Sequence, residues 1–384
     1  MKISAEDFKS SLIAVGLSPT KLQKYIKETY NTDITQTPIS NRINRMRQSG
    51  ELPLQSGNSV QDGTNLRGTS TLYAADGSVK VQWVKTDARK EDELTYFKEA
   101  IDNFVSSPRV QASSVIEPPT SVDNDTMSIY SIGDAHIGMM AYGKETGEDY
   151  DSTILVADLL AAINLLVDQA HPSKEAFIID VGDYYQSDSQ SNTTTAGTRV
   201  DVDSRFSKMI QVGLDLAVSL IERALLKHET VRWRSAIGNH NSHSAIYVTS
   251  FLQAWFRNNS RVIIHDTPAM FMYHQFGRNL IGITHGHTVK AEKLGEIMSV
   301  DQKHLWSATD HRYFYTGHVH HQSVKEFTNC VVETFNTLTG KDAWHAASGY
   351  RSKQSMKSIT LHREYGEISR NTVNQALIRS TLCK

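Results

Sequence analysis

Residues 128–136 read SIYSIGDAH, an apolar, β-prone run that is followed by a glycine and then by Asp134 and His136. Such a run indicates a strand that ends in a turn, with two ligand-type side chains just beyond it. In an extended segment the side chains at i and i+2 point the same way. This spacing therefore predicts that Asp134 and His136 are brought to one place at the end of a strand.

The same arrangement recurs four times further along the chain. Each copy is an apolar run that ends in a turn with His, Asp or Asn: GD at 182–183, GNHN at 238–241, THGH at 284–287 and GHVH at 317–320. Open α/β sheets bind ligands at the carboxyl ends of their strands. We therefore expect the five clusters to converge on one site, where the neighbouring glycines permit sharp turns and the close approach of a phosphate.

Helical patterns separate these strands, at residues 154–170, 202–228 and 245–258. Strands that alternate with helices indicate an α/β domain. From residue 330 onwards the chain shows short strands and turns, including residues 357–363.

The mixture of donors suggests a metal. Carboxylate, amide and imidazole groups together suit Mn²⁺, Fe, Zn²⁺ or Ni²⁺ better than Ca²⁺ or Mg²⁺ alone. The spacing of His318 and His320 allows both to reach one ion, whereas His285 and His287 are equal candidates on spacing alone. Two cations about 3.5–4 Å apart can share a hydroxide and clamp an in-line attack on phosphorus.

The ordered set GDxH, GD, GNH, THGH and GHxH resembles the calcineurin-like metallophosphoesterase superfamily over roughly residues 127–362. The resemblance implies an α/β fold, a four-layer sandwich of two mixed β-sheets flanked by helices, with two divalent metal ions. It favours His285 over His287. By position it implies one metal held by Asp134, His136 and His320, a second held by Asn239, His285 and His318, Asp183 as the bridging carboxylate, and His240 as the proton donor and transition-state stabiliser.

Two positions depart from the family pattern. Asn241 stands where the family commonly has an acidic residue that orients the histidine, so we expect weaker tuning of His240. Asp188 is slightly late for the acidic or Asn residue that usually follows the bridging carboxylate. The polar segment 187–199 between these positions is predicted to be an active-site loop, with a purely structural loop as the alternative.

Three short amphipathic helices are predicted within the first 55 residues, where basic residues outnumber acidic ones by three. Their apolar stripes are Phe8, Leu12 and Val15, then Leu22 and Ile26, then Ile39, Ile43 and Met46. The third helix, at 38–49, carries Arg42, Arg45 and Arg47, which are candidate nucleic-acid contacts of a helix-turn-helix. A protein-interaction module with a solvated arginine face is the alternative.

Residues 56–126 are predicted to connect two domains. They comprise a Gly/Ser/Asn/Gln linker at 56–68, a hairpin around Asp76-Gly77, an amphipathic helix with Leu94, Phe97, Ile101 and Phe104, and a Ser/Pro/Val-rich tether. The predicted domains are therefore 1–55, a helix-turn-helix head; 56–126, the connection; and 127–384, the phosphoesterase domain.

The composition bears on the cellular compartment of the protein. The 384 residues carry a formal net charge of -2 and include two cysteines, too few for a disulfide framework. No secretion signal or long apolar run is evident in the sequence, so we expect a cytoplasmic protein without a membrane partner.

The favoured function is hydrolysis of phosphodiester bonds in nucleic acid, because a helix-turn-helix head is tethered to a two-metal domain. That arrangement also resembles proteins encoded by bacteriophages and prophages, and the repair-exonuclease branch of the superfamily. A phosphodiesterase or phosphatase for a small or cyclic nucleotide is one alternative. A DNA-binding regulator with an inactive phosphoesterase domain is the other.

Overall fold

The structure is a computed structural model that describes residues 5–15, 18–30, 32, 34–48, 64–73, 79–88 and 116–382. The chain divides into two compact units, Met1–Lys90 and Glu91–Lys384. The predicted amphipathic helix at 94–104 and the first part of the tether lie outside the described residues, and the domain boundaries at 55 and 126 stay predictions.

The N-terminal unit contains the three predicted helices: α1 (Ala5–Ala14), α2 (Pro19–Tyr30) and α3 (Gln36–Gln48). Helix α2 begins with proline at its first position, where the missing N–H costs nothing. The predicted apolar stripes form a small core of Phe8, Leu12, Leu22, Ile26, Ile39, Ile43 and Met46, with Val15 packed against it.

The predicted hairpin is also present. Strands β1 (Thr64–Tyr73) and β2 (Val79–Ala88) pair antiparallel. Strand β1 begins at Thr64, so residues 64–68, which we predicted as the end of the linker, are part of the ribbon instead. Backbone pairing explains the difference, because the ladder needs main-chain groups rather than a particular side chain: Thr64 pairs with Ala88 and Gly68 with Lys85.

A six-stranded mixed sheet forms one half of the C-terminal unit, with the order β13-β12-β3-β4-β5-β6. Its strands are β3 (Asp123–Ile132), β4 (Ser173–Asp180), β5 (Thr230–Ser235), β6 (Val262–Ile264), β12 (Ser355–His362) and β13 (Gly366–Asn374). Strands β3 to β6 are parallel to one another, and β12 and β13 are added antiparallel.

A second mixed sheet of five strands has the order β10-β11-β9-β8-β7. It consists of β7 (Met272–Phe276), β8 (Asn279–Ile283), β9 (His311–Thr316), β10 (Ser323–Glu326) and β11 (Val331–Thr334). Strands β8 and β9 are adjacent and parallel. The run Tyr313-Phe314-Tyr315 lies in β9, as expected of a core strand.

Helices cover the outer faces of both sheets. The described helices of this unit are α4 (Gly143–Thr146), α5 (Ser152–Gln169), α6 (Phe206–Leu225), α7 (Ser244–Trp255), α8 (Ala291–Asp301), α9 (Lys303–Ala308), α10 (Ala343–Ala347) and α11 (Gln375–Leu382). Helices α5, α6 and α7 pack on the six-stranded sheet, and α8 packs on the five-stranded one.

Successive side chains along each strand point to opposite faces of the sheet, and this alternation produces the layers. In β4, Phe177 and Ile179 face the other sheet, whereas Ile178 faces the helices. In β9, Tyr315 faces inward and Phe314 meets α8. The predicted four-layer sandwich is confirmed.

Helix α5 is long and apolar enough to cross a membrane by length and composition alone, and half of it is buried inside the unit. Asp151 caps its first turn by accepting a hydrogen bond from the Ile154 N–H at 2.9 Å. Its buried face, which includes Leu155, Leu159 and Ile163, belongs to the core beneath the six-stranded sheet. The apolar character of α5 is therefore accounted for by packing.

Candidate metal centre

All five sequence clusters lie at the carboxyl ends of parallel strands. Those that follow β3, β4 and β5 leave neighbouring strands of the six-stranded sheet, and those that follow β8 and β9 leave neighbouring strands of the other sheet. The two edges meet, and the structure brings together the predicted ligands Asp134, His136, Asp183, Asn239, His285, His318 and His320.

The backbone is strained where the ligands stand. Asp134, His136, Asp183, His318 and His320 have φ values of 37°, 45°, 50°, 74° and 52°, and Asn192 is the only other non-glycine residue with positive φ within the described ranges. This region is unfavourable for side chains with a Cβ and persists where surrounding structure enforces it. The turns therefore hold their side chains in fixed directions, as a preformed site requires.

The first ligand group consists of Asp134, His136 and His320, whose donor atoms all lie within 4.8 Å of one another. The two imidazole Nε2 atoms are 3.1 Å apart, and His320 Nε2 is 3.6 Å from Asp134 Oδ1. Asp134 is fixed by the backbone N–H of His318, which donates to both of its oxygens at 2.9 and 3.1 Å.

The second group consists of Asp183, His285 and His318 and meets the same distance criterion. His285 Nε2 is 3.0 Å from Asp183 Oδ2 and 3.1 Å from Asn239 Oδ1. The amide oxygen of Asn239 thus faces the position that these donors surround, as the resemblance implies. Their individual roles as ligands stay predictions.

These donor sets fit a divalent cation. His285 Nδ1 donates to the Val181 carbonyl at 2.9 Å and His136 Nδ1 to Gln186 Oε1 at 2.8 Å, so each ring is oriented with Nε2 toward the other donors. Outer hydrogen bonds of this kind orient histidine ligands in metal sites. Several lone pairs then point at one place, and positive charge is needed between them.

The pKa shifts of the buried carboxyl and imidazole groups in this site also indicate that positive charge is needed between the donors. Burial raises the pKa of Asp134 to about 7. Burial works against ionisation of Asp183 as well, yet the adjacent His285 imidazolium holds the pKa of Asp183 well below its usual range. Although burial alone lowers the pKa of His285, the Asp183 carboxylate raises it to about 9. The two pKa directions reflect one buried pair, in which the Asp183 carboxylate and the His285 imidazole favour each other's charged forms.

Gln186 is a site residue that the sequence reasoning missed. Its side chain accepts from His136, and its backbone carbonyl accepts from His240 Nδ1 at 2.8 Å. The available signal was its position three residues after Asp183, in the same strand-end turn. Gln186 links a candidate ligand to the candidate proton donor.

Asn241 was expected to tune His240 only weakly, and in the structure its side-chain oxygen has other partners. The Asn241 Oδ1 atom accepts from the backbone N–H groups of Asp183 and Gly238 at 3.1 and 3.0 Å. It therefore braces two strand-end turns against each other, while the Gln186 carbonyl orients His240. An aspartate at this position would not be needed for that orientation.

Asp188 likewise serves another purpose. It accepts from the backbone N–H groups of His243 and Ser244 at 2.9 Å, at the start of α7, and from the Thr195 hydroxyl. Carboxylates are favourable at helix N-termini. Asp188 therefore ties the 187–199 loop to α7.

Five other histidines of the C-terminal unit, among them the alternative candidate His287, lie outside the two ligand groups. The ring centroid of His287 lies 5.2 Å from that of His285, but His287 belongs to neither ligand group. His345 stacks on His320 at 4.6 Å, and His243 pairs with Asp188. His321 bonds the Val319 carbonyl and His311 that of Glu364.

Other residues near these strand ends have structural surroundings. Asp180 is buried, and burial raises its pKa to about 7. The adjacent pair Tyr184 and Tyr185 points away from the site, because their hydroxyls donate to the α6 carbonyls of Gly213 and Ile210.

A cavity of about 790 Å³ opens over the two ligand groups. Residues 192–202 form one wall and residues 342–350 the other, while His136, Asp183, Asn239, His240, His318 and His320 line the cavity as well. The 187–199 segment therefore borders the site, as predicted. Arg199 is the only lysine or arginine among the lining residues in the described part of the chain.

The candidate nucleic-acid contacts of α3 differ in their surroundings. The Arg42 guanidinium lies 4.3 Å from the Phe8 ring centroid, so this side chain covers the core of its own unit. Arg45 is exposed, and the side chain of Arg47 is outside the described residues. A role of these arginines in nucleic-acid binding stays a prediction.

Comparisons with known proteins give only distant likenesses. No family model matches the chain, and no curated protein matches it. Among solved structures, an archaeal phosphodiesterase matches at 12% identity and a TM-score of 0.33, over 65% of this chain and 99% of that one.

A dimetal phosphatase from Danio rerio matches at 8% identity and a TM-score of 0.37, over 66% of this chain and 99% of that one. Vps29 from Entamoeba histolytica, in complex with zinc, matches at 12% identity and a TM-score of 0.27, over 65% and 99% of the two chains. These TM-scores and identities are low, so the three proteins do not indicate an activity or a substrate for this chain.

The chain's own architecture is more informative. Two mixed sheets flanked by helices, with five motifs that meet at neighbouring strand ends, are the fold and the arrangement of residues that the resemblance implied. The class that the fold and the site define is a protein with a candidate dinuclear metal centre.

Proposed function

We propose that this chain is a metal-dependent phosphodiesterase that acts on a small nucleotide-type diester. The observation that carries the proposal is the pairing of two adjacent three-residue ligand groups beneath one walled cavity. Mn²⁺ is the preferred cation for this mixture of carboxylate, amide and imidazole donors, with Fe, Zn²⁺ and Ni²⁺ as further candidates.

Asp134, His136 and His320 would hold one cation, and Asn239, His285 and His318 the other, with Asp183 shared. When bound, the two cations would neutralise charge on the phosphoryl oxygens and generate a nucleophile from water at neutral pH.

His240 supplies the proton that the departing oxygen needs. Its Nδ1 donates to the Gln186 carbonyl, and its backbone N–H donates to Asp183 Oδ1 at 2.8 Å, so the ring is fixed beside the ligand groups. With the Nδ1–H engaged, Nε2 is the nitrogen left to act on substrate, and it donates a proton when the ring is the imidazolium, which returns to the neutral ring as the departing oxygen takes that proton. Such a histidine serves as a general acid or as a hydrogen-bond donor to the phosphoryl group.

The cavity favours a compact substrate over a bound duplex. Besides Asp183, whose charge the two cations would neutralise, its described lining contains Asp201 and Asp342 against the single Arg199. A duplex is held chiefly by many contacts from Lys and Arg to phosphates. A walled cavity with one cationic side chain instead accommodates one diester and the groups attached to it.

A nuclease is the second candidate, and the N-terminal unit favours it. Helix α3 carries three arginines and no acidic residue, and Arg45 is exposed. A head that binds nucleic acid would deliver a strand to the phosphoesterase unit. A regulator with an inactive domain receives no support, because both ligand groups are complete.

The test uses the purified full-length chain with Mn²⁺. The substrates are bis(p-nitrophenyl) phosphate, 2′,3′- and 3′,5′-cyclic nucleotides, single-stranded DNA and duplex DNA. We expect hydrolysis of the small diesters, which chelation of the metal and Asp183→Asn both abolish. Preferential cleavage of DNA would make the chain a nuclease.

The matched control is Asp201→Asn. This residue lines the same cavity but lies in neither ligand group, so we expect its substitution to leave most of the activity. Hydrolysis that survives in Asp183→Asn, or no hydrolysis of any substrate by the native protein, would overturn the proposal.

A further inference from the structure

An aromatic wall stands at the mouth of the cavity. It consists of Trp344, His345 and Tyr350, all of which line the cavity. The Trp344 ring centroid is 5.0 Å from that of His345 and 5.7 Å from that of Tyr350. We propose that this wall is a nucleobase subsite, on which the base of a nucleotidyl substrate stacks while its phosphate lies over the ligand groups.

The exposure of Trp344 points to a ligand. Its side chain is 63% exposed although the residue lies in the short helix α10, within a cavity wall. Tryptophan is among the residues with the most apolar area to bury. A base that stacks on Trp344 would remove this surface from water and would gain a contact that every base can make, because all bases have a π-face.

The wall is held rigidly to the candidate metal centre. The His345 ring stacks on His320 at 4.6 Å and an interplanar angle of 16°. His345 Nδ1 is 2.7 Å from Asp342 Oδ1, and the same carboxylate oxygen accepts from the His345 backbone N–H at 2.8 Å. His345 is therefore a positioning residue that fixes where the wall stands relative to the reacting phosphate.

The separation suits a nucleotide. Two successive ring contacts, of 4.6 Å and 5.0 Å, lead from His320 to Trp344. A mononucleotide carries its phosphate and its base at opposite ends of one sugar, and so presents both groups to neighbouring parts of one cavity. One molecule can therefore reach the ligand groups and the aromatic wall at the same time.

The opposite wall completes the subsite. Arg199 comes from a turn in which the Gly197 N–H donates to the Thr194 carbonyl and residues Thr193 and Arg199 form a bridge. The Thr195 hydroxyl fixes this turn by donating to Asp188 and by accepting from the Ser242 backbone N–H. A guanidinium on this wall offers hydrogen bonds to a phosphate or stacks on a base.

This inference rests on the proposed function but is tested separately from it. Titration calorimetry compares the binding of AMP with that of ribose 5-phosphate, which differ only in the base. The proteins are the native chain with Mn²⁺, Trp344→Ala and Trp344→Phe. Tyr365→Ala is the control, since Tyr365 is another exposed aromatic residue that does not line the cavity.

We expect AMP to bind about ten-fold more tightly than ribose 5-phosphate, the effect of one base stacked on an aromatic side chain. Trp344→Ala should remove this difference and leave ribose 5-phosphate unaffected, whereas Trp344→Phe should retain most of it. Equal affinities in the native chain, or an equal loss for both ligands in Trp344→Ala, would overturn the subsite.

Hydrolysis gives a second measurement. Dithymidine phosphate and its analogue without bases carry the same diester, so the ratio of their KM values reports the contribution of the base. We expect Trp344→Ala to raise KM about ten-fold for dithymidine phosphate only, with kcat little changed. A base-dependent affinity without hydrolysis of any diester would refute the phosphodiesterase and support the subsite.

Discussion

The two ends of the parallel strands β3, β4 and β5 each hold a buried histidine, and the two histidines differ in one respect. At the amino ends, His228 donates through Nδ1 to the Ser173 carbonyl at 2.7 Å, and its Nε2 faces the Tyr130 hydroxyl at 2.8 Å. At the carboxyl ends, His136 donates to Gln186, but its Nε2 faces the Nε2 of His320.

This difference separates a structural histidine from a candidate ligand. Burial lowers the pKa of both rings, so burial and pKa do not distinguish them. The group that faces the second ring nitrogen is what distinguishes the two histidines. A hydroxyl can donate to a neutral imidazole and leaves no position for a cation, whereas two imidazole nitrogens that face each other can either share one proton or both turn their lone pairs to a cation.

The largest expected effect contrasts a glycine at a strand end with a glycine in the cavity wall. A Cβ at Gly238 would overlap Asp183 Oδ1, whereas a Cβ at Gly197 would meet nothing within 4 Å. Gly238→Ala should therefore displace Asp183 and lower kcat/KM for bis(p-nitrophenyl) phosphate by about 100-fold or more.

Gly197→Ala is the matched control. Gly197 has φ of +90°, so alanine there should cost about 1 kcal/mol of stability and change activity little. Circular dichroism melting verifies that both variants fold. Equal activities of the two variants would show that the strand-end turns are not the rigid part of the site.

The second prediction concerns the histidine at the amino ends. Burial lowers the pKa of His228 to about 4, below the unfolded value of about 6.5. Below pH 6.5, His228 is protonated in the unfolded chain but stays neutral in the folded chain. Stability is therefore fully present above pH 6.5 and is lost as the pH falls toward 4, by about 3 kcal/mol from this residue.

Urea unfolding of the native chain and of His228→Gln, from pH 7.5 down to pH 4, tests this. We expect the two curves of unfolding free energy against pH to converge by about 3 kcal/mol as the pH falls. Parallel curves would mean that His228 is protonated in the folded chain, and the distinction drawn from its second nitrogen would fail.

The third prediction concerns the hydrogen bond behind a candidate ligand. Gln186→Ala removes the acceptor of His136 Nδ1 but leaves the backbone carbonyl that orients His240. Loss of such an outer partner typically costs about 10- to 100-fold in metal affinity or activity. Calorimetric titration with Mn²⁺ and the rate of diester hydrolysis measure both quantities.

Gln186→Glu keeps an acceptor oxygen at the same position and should restore most of the loss. If the alanine and glutamate variants lose metal affinity equally, the hydrogen bond to His136 is not what matters at Gln186.

The smallest expected effect contrasts the C-terminal unit with the N-terminal unit. If α3 contacts nucleic acid, Arg45→Ala should weaken duplex binding a few-fold and reduce the slope of log affinity against log salt by about 1. Lys24→Ala is the control, since Lys24 is an exposed cation on α2 that pairs with Glu28. Fluorescence anisotropy measures both variants, and identical slopes would remove α3 from the interface.

The strand-end residues could be predicted because the local pattern determines them. An apolar run followed by glycine and a His, Asp or Asn predicts both the strand and the turn that ends it. The parallel arrangement of the strands then brings the five turns together. The apolar stripes of the three N-terminal helices were predictable for the same reason, since Phe8, Leu12 and Ile43 follow the helical period.

The partners of these residues could not be predicted in this way. Gln186 acts on His240 through its backbone carbonyl, which every residue has, so no residue type reveals it. Asn241 differs because its oxygen joins two turns that are distant in sequence. Trp344 and Arg199 line one cavity although 145 residues separate them, and only the packing of the loops determines that they do.

Each ligand group takes residues from both sheets. In the first group, Asp134 and His136 follow a strand of the six-stranded sheet, and His320 follows a strand of the five-stranded sheet. In the second group, Asp183 follows a strand of the six-stranded sheet, and His285 follows a strand of the five-stranded sheet. Bound cations would thus act as cross-links between the two halves of the sandwich. Resistance to proteolysis would then rise and fall with the supply of metal, so that a cell short of the metal would hold less of the protein and not merely an idle form of it.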